Sequence, residues 1–302
     1  MSRNYTDDTA MAANPDVRPA LARRYEFMEW RAYWFGRLNR KDLEDEFGIS
    51  TPQASIDINK YIEDYPGNLI YSSSDKTYVP TPNFLPHFMR ISADRLLLQL
   101  RAILSGALSV TDTWLPALPP AATIAPIART VDPGCLRTML AAIRENFEVE
   151  VEYQSLTNTR RRCIAPHSLA FDGHRWHVRA WAADKGDFRD FVLARICWIG
   201  EARPSKARPE DDLEWSTMVT LDLIAHPDLG PAQRSAIERD FGMTDGRLCV
   251  ETRLALAFYQ IKRMNLDLDA DVIPPERKQL QLTNLDEIQA KWEAVRNVMS
   301  NR

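Results

Sequence analysis

The sequence predicts an α+β multidomain chain: an N-terminal winged helix-turn-helix, a small central β-barrel and a C-terminal α+β region. Three observations carry that prediction. Between residues 20 and 82 a helix, a glycine turn, a second helix and a hairpin succeed one another; near residue 149 the hydrophobic period changes from helical to alternating; and beyond residue 217 strand and helix patterns mix. A length of 302 residues suits two or three domains and a sizeable core without disulfides.

Composition excludes several classes at the outset. With 45% hydrophobic and 26% charged residues the chain is not disordered as a whole. A net charge of 38 − 42 = −4 gives no global basic field, so any nucleic-acid role must reside in a local patch. The cysteines, Cys135, Cys163, Cys197 and Cys249, form no CxxC pair, which speaks against zinc ribbons and thioredoxin-type motifs and for reduced thiols. No signal peptide and no membrane-length apolar run is read, so a soluble cytoplasmic protein with no membrane partner is expected.

The first 17 residues are polar and aperiodic, as in a frayed tail. From Leu21 to Trp34, Tyr25, Trp30, Tyr33 and Trp34 recur at near-helical spacing. Asn39 with Asp42 three residues on reads as a capping box, and Leu43 and Phe47 give the short helix a buried stripe. Gly48 suits a left-handed C-cap, Ser50 or Thr51 an N-cap, and Pro52 the first turn of a second helix. That helix has Ala54, Ile58, Tyr61 and Ile62 inward and Gln53, Ile56, Asn59 and Lys60 outward. Residues 69–71 and 77–79 around Ser72–Lys76 complete a wing.

Pro80, Pro82 and Pro86 close this unit, and Arg95–Leu108 reads as another helix. Prolines at 116, 119, 120, 126 and 133 exclude a regular helix there; apolar Leu115, Leu118, Ile124 and Ile127 suggest an extended connector packed on the surface. A second connecting helix covers Leu136–Asn146. Strands are expected from Val149, then at Arg162–Pro166, Trp176–Trp181 and Phe191–Ile199, with turns at Asp172-Gly173 and Lys185-Gly186; such a run of short antiparallel strands suggests the barrel. The tail adds strands at Met218–Ile224 and Cys249–Leu254, a helix at Gln233–Phe241, and later helices such as Leu285–Met299.

Two places offer binding chemistry. On the recognition helix, Gln53 and Asn59 suit adenine and Lys60 suits guanine or phosphate, with Ile56 beside them on the same face. Ser50, Thr51 and Ser55 suit phosphates at the helix start, with Arg40 and Lys76 adding backbone contacts from the preceding helix and the wing. The charge over residues 18–62 is only about +1, which leaves open a protein-interaction winged helix. In the barrel, residues 160–195 hold eight Lys/Arg against four Asp. Alternation places His177, Arg179 and Trp181 on one face of a strand, and Arg189, Phe191, Leu193 and Arg195 on one face of another. Arginines among aromatics suit phosphates and stacked bases, but a solvated face with internal ion pairs has the same composition. His167, His174 and His177 near Cys163 are zinc-ligand types, yet His174 falls in a turn and no acidic ligand has matching spacing, so no metal and no cofactor is expected. No catalytic motif is found, so an enzyme is not expected.

The segments Ile164-Ala165-Pro166-His167, Asp172 to Trp181 and Asp190 to Ile196 resemble WYL-domain transcriptional regulators, with Trp176-His177-Val178 at the name-giving tripeptide. Residues 49–55 and 68–71 are similar to the winged helix of that family's CapW/BrxR branch. The resemblance implies a winged-helix domain at 20–82, a helical and proline-rich connector at 83–148, an Sm-like WYL barrel at 149–203 and a C-terminal dimerisation domain at 213–302. It further implies a homodimeric repressor of a bacterial anti-phage defence operon that binds double-stranded operator DNA and is released by a small nucleotide or nucleic-acid effector. The effector residues carried over are Tyr153, Arg162, His167, Trp176, His177, Arg179 and Arg195; His177 and Cys163 depart from the usual pattern. The competing expectation is an RNA- or nucleotide-binding adaptor whose winged helix makes protein contacts.

Overall fold

A computed structural model describes residues 17–125, 127, 129–268 and 272–300; the polar stretch 1–16 and Pro126 lie outside them. The chain divides into two compact units, with the break between Ile127 and Ala128.

In the first unit, α1 (Pro19–Phe35) starts with proline in its first turn and stops at Gly36 in the left-handed region. Residues Phe27 to Ala32 are buried all round, so this is the central helix rather than a one-sided amphipathic one. α2 (Arg40–Phe47) is preceded by Asn39, whose backbone N–H donates to the Asp42 carboxylate at 2.6 Å, and ends at Gly48, φ 63°. α3 (Thr51–Asp64) begins at Ser50, whose hydroxyl accepts from the Gln53 N–H, and buries Ala54, Ile58 and Tyr61 against Tyr25, Met28 and Leu43. β1 (Leu69–Ser72) and β2 (Thr77–Pro80) form the hairpin, with Lys76 at φ 52° in its turn. A bridge missed by the sequence ties the residue before the capping box into this wing: Leu38 and Tyr78 exchange both backbone bonds at 2.8 and 2.9 Å.

The winged unit closes on a buried acid. Glu29 is fully buried and accepts from Tyr61 Oη and from the backbone N–H groups of His87, Phe88 and Met89 at 2.7–2.9 Å. Burial pushes its carboxyl up, against four hydrogen bonds that favour the ionised form. α4 (Ala93–Leu104) follows, and Trp114 then returns to α1 and α2: its indole donates to Glu46 at 2.8 Å and its ring carries the Arg23 guanidinium at 4.1 Å. Leu115 is buried, but Leu118, Ile124 and Ile127 are 39, 91 and 97% exposed. The connector therefore packs only as far as Leu115, which corrects the expectation of a surface-packed segment; the prolines that exclude a helix there also keep the chain extended.

The second unit opens with α5 (Pro133–Glu145), capped by Asp132. It places Cys135, Met139 and Ala142 in the core of a sheet formed by β3 (Phe147–Gln154), β4 (Thr159–Phe171), β5 (Trp176–Ala182), β6 (Asp187–Val192) and β7 (Ile196–Pro204). This sheet is antiparallel in the order β6-β5-β4-β3-β7. Its two edges are not paired to each other among the described residues, so the sheet is open where a closed barrel was expected. The expected strand at 191–199 is two strands: Leu193–Arg195 form a 3-10 turn between β6 and β7, so Arg189 and Phe191 do not share a strand face with Leu193 and Arg195. Alternation failed there because buried Phe191, Val192 and Leu193 are consecutive, which a single two-faced strand does not produce.

α6 (Leu213–Ser216) leads into a second antiparallel sheet of β8 (Met218–Ala225), β9 (Arg247–Arg253) and β10 (Leu280–Leu282), in the order β10-β8-β9. Val219, Leu221, Leu223 and Ala225 alternate inward against α7 (Pro231–Asp240), α8 (Leu254–Arg263) and α10 (Leu285–Ser300), with α9 (Pro275–Lys278) a single turn before β10.

Candidate functional site

On the recognition helix the structure keeps most of the nominated groups at the surface. Arg40, Ser50, Thr51, Asn59, Lys60 and Lys76 are exposed, and Ile56 is exposed at 58%. Three side chains are turned to local partners. Gln53, expected to face outward, is half-buried, and its amide donates to Asp57 at 2.9 Å; the buried Asp57 is in turn paired at 2.6 Å with Arg24 of α1. Ser55 Oγ donates to the Thr51 carbonyl, one helical turn back. Lys60 lies 3.0 Å from Asp64 in an exposed i,i+4 pair, worth a few tenths of a kcal/mol, about 0.3–0.5. The Arg24–Asp57 link, 33 residues apart, has no local sequence signal.

The WYL face of the second unit is different. Val178, Ala180 and Ala182 of β5 point into the sheet core, while His177 and Arg179 lie on the other face, as alternation predicts. Both are buried, at 2 and 3% exposure, because later chain covers them. Arg179 donates from Nε and Nη2 to both carboxylate oxygens of Asp212 at 2.7 and 2.9 Å, reaches Glu214 at 3.1 Å and lies 3.5 Å from Asp190. His167 Nε2 lies 3.0 Å from the same Asp212. Burial alone would raise the Asp212 carboxyl, but hydrogen bonds from Arg179 and His167 hold it down at about 2. His177 Nε2 lies 2.9 Å from Asp172, and its ring faces that of Tyr259 at 5.1 Å; Tyr259 Oη donates to Asp190 at 2.9 Å. The Asp172 carboxyl is lowered: burial opposes this, and hydrogen bonds from His177 and from two backbone N–H groups outweigh it.

The other nominated residues do not join this cluster. Tyr153 lies in the sheet core and accepts from the Val192 N–H, and Arg162 stands 5.8 Å over its ring with Asp184 3.7 Å away. Trp176 is half-exposed beside Phe171, and Arg195 closes the 3-10 turn. A cleft of 760 Å³ opens next to Arg179, lined also by Lys185, Phe188, Arg189, Phe258 and Arg296. Of the nominated seven, Arg179 alone lines it; Asp172, Asp190, Asp212, Glu214 and Tyr259, the partners that organise the face, were missed. Among the described residues His167 and His177 are taken by separate carboxylates, and no group of three His, Cys, Asp or Glu side chains is placed to hold a metal ion.

The comparisons with known proteins follow the same three parts. Residues 20–102 match the BrxR transcriptional regulator winged helix-turn-helix domain, 134–198 the WYL domain, and 218–288 the BrxR transcriptional regulator C-terminal dimerization domain. The DNA-binding transcriptional repressor CapW of Escherichia coli (strain KTE188) is 41% identical over 89% of this chain and 90% of that one. This chain belongs to the CapW/BrxR family of WYL-domain regulators. The proteins of the same name from Pseudomonas aeruginosa (39%, covering 95% and 97%) and Stenotrophomonas maltophilia (34%, covering 91% and 93%) agree. The solved proteasome accessory factor B/C (PafBC) of Arthrobacter aurescens matches at 17% identity and a TM-score of 0.25; the chain spans 48% of that protein, and the likeness carries no argument. Among the described residues no helix is long and apolar enough to cross a membrane.

Proposed function

We propose that this chain is a homodimeric transcriptional repressor that reads double-stranded operator DNA with α3 and the wing. The observation that carries the reading is the solvent-facing side of α3, left bare behind a capped N-terminus, in a chain whose relatives are named DNA-binding transcriptional repressors. In this reading Ser50 and Thr51 meet phosphate at the helix start, where the N–H groups and dipole favour an anion. Arg40, Lys60 and Lys76 add backbone contacts, and Ile56 and Asn59 face base edges in the major groove. Dimerisation through residues 213–302 doubles these contacts across a symmetric operator.

The finer parts of the proposal concern the sensor. The five-stranded sheet is taken as an Sm-like small barrel left open between β6 and β7, sensing a nucleotide or nucleic-acid effector that relieves repression of an anti-phage defence operon. The operon context rests on the resemblance to the CapW/BrxR branch. Because His167, His177 and Arg179 already have carboxylate partners, an effector that reaches Arg179 through the 760 Å³ cleft does so in competition with Glu214.

A gel shift of the purified protein with the DNA upstream of its own gene, over a range of salt and with scrambled competitor, tests the reading. A specific, salt-sensitive shift with a two-fold symmetric footprint is expected. Equal binding to scrambled DNA and to RNA would overturn it in favour of the adaptor role.

A further inference from the structure

The outward face of α3 offers fewer free groups than its residue list suggests. With Ala54, Ile58 and Tyr61 inward, about 100° per residue places Pro52, Ile56, Asn59 and Glu63 opposite them. At the margins Gln53 is held by the buried Asp57, while Lys60, in a weak exposed pair with Asp64, keeps an ammonium suited to phosphate. Glu63 has the charge that phosphates repel. What remains for base edges is Ile56, 58% exposed, and Asn59, exposed and with no side-chain partner among the described residues.

These two side chains define a chemistry. In the major groove the thymine 5-methyl is the base-edge group that an aliphatic chain complements, and a side-chain amide fits adenine N6 and N7. Three residues on a helix rise about 4.5 Å, close to one base-pair step of about 3.4 Å. We infer that the operator half-site presents a thymine methyl to Ile56 and an adenine to Asn59 on the same or the neighbouring base pair. Discrimination at this step then comes from a methyl group in an apolar contact rather than from a charged pair. The inference rests on the DNA-binding reading above and specifies the DNA that α3 selects.

The test uses the full-length protein and a site selected from a randomised duplex pool. The enriched half-site is expected to contain one A·T pair or two adjacent ones, and a half-site of G·C pairs throughout would overturn the inference. The selected duplex is then made with deoxyuridine for thymidine, which keeps every hydrogen-bonding group and removes only the methyl. By fluorescence anisotropy at fixed salt, affinity is expected to fall about fourfold per contacted methyl, or about sixteenfold for a symmetric pair. Ile56→Ala should bind thymidine DNA as weakly as the wild type binds deoxyuridine DNA and should no longer distinguish the two. As Ile56 is exposed, this variant should fold normally. Wild-type affinity that is equal on both duplexes, or an Ile56→Ala protein that still distinguishes them, would overturn the inference while leaving DNA binding intact. Failure to enrich any sequence would overturn the DNA-binding reading and this inference together.

Discussion

The outward side of α3 and the His177–Arg179 side of β5 look alike on paper, since each sets polar or cationic residues beside apolar ones at the period of its element. In the folded chain they diverge. No described residue of its own unit covers the α3 face, so Ile56 and Asn59 stand in solvent. The β5 face is covered by Asp212, Glu214 and Tyr259, and its arginine makes a bidentate pair plus a third hydrogen bond before any ligand arrives. A side chain's type states what it can bind; whether it is free to do so depends on what the chain brings to it from far away.

The largest expected effect that sharpens this contrast is Arg179→Ala. It strands the fully buried Asp212, already shared with His167, and leaving one member of a buried pair typically costs about 3–5 kcal/mol. Urea unfolding should show it as a lower midpoint. Arg179→Lys should recover only part, because an ammonium cannot reproduce the two-pronged contact with Asp212. A midpoint unchanged in Arg179→Ala would make the β5 face a free binding surface after all.

Acid should act on the same cluster. The Asp212 carboxyl is held at about 2 against an ordinary 3.8. A depressed carboxylate stabilises fully above its unfolded value, and that contribution is lost as pH falls through the folded one. The urea midpoint should therefore decline between about pH 4 and pH 2, and Asp212→Asn should have a lower midpoint throughout with a flatter dependence in that window. Equal slopes in the two proteins would place the acid sensitivity elsewhere.

A smaller effect is expected in the other region. Gly48 ends α2 at φ 63° and has open space around the position of a Cβ, so Gly48→Ala isolates the cost of the left-handed backbone, about 1 kcal/mol. Thermal unfolding should register that loss; no change would mean that the turn relaxes.

The legibility of the sequence follows the same divide. The helix-turn-helix was readable because its signals are local: Asp42 three residues after Asn39, Gly48, Ser50 and Pro52 act within a turn of where they stand. The alternation of β5 was readable for the same reason. The break at Leu193–Arg195 was not, because three consecutive buried residues look like a continuous apolar strand. Nor was the charge balance of residues 160–195 a guide to free cations. Arg161 lies 3.9 Å from both Glu150 and Glu152, and Arg179 pairs with Asp212 and Glu214, all acids outside that window. Asp212 was read neither as the cap of α6 nor as the partner of a residue 33 positions earlier, because its bonds to Arg179 join segments with no local pattern in common.

The central claim is that α3 presents a DNA-reading face that is not needed for folding. Asn59→Ala tests it most directly, with operator affinity and urea midpoint measured on one preparation. The account predicts a midpoint within about 0.5 kcal/mol of wild type and an operator affinity weaker by about 1–3 kcal/mol, with relaxed preference at one base pair. Affinity and base preference both unchanged from wild type would contradict it.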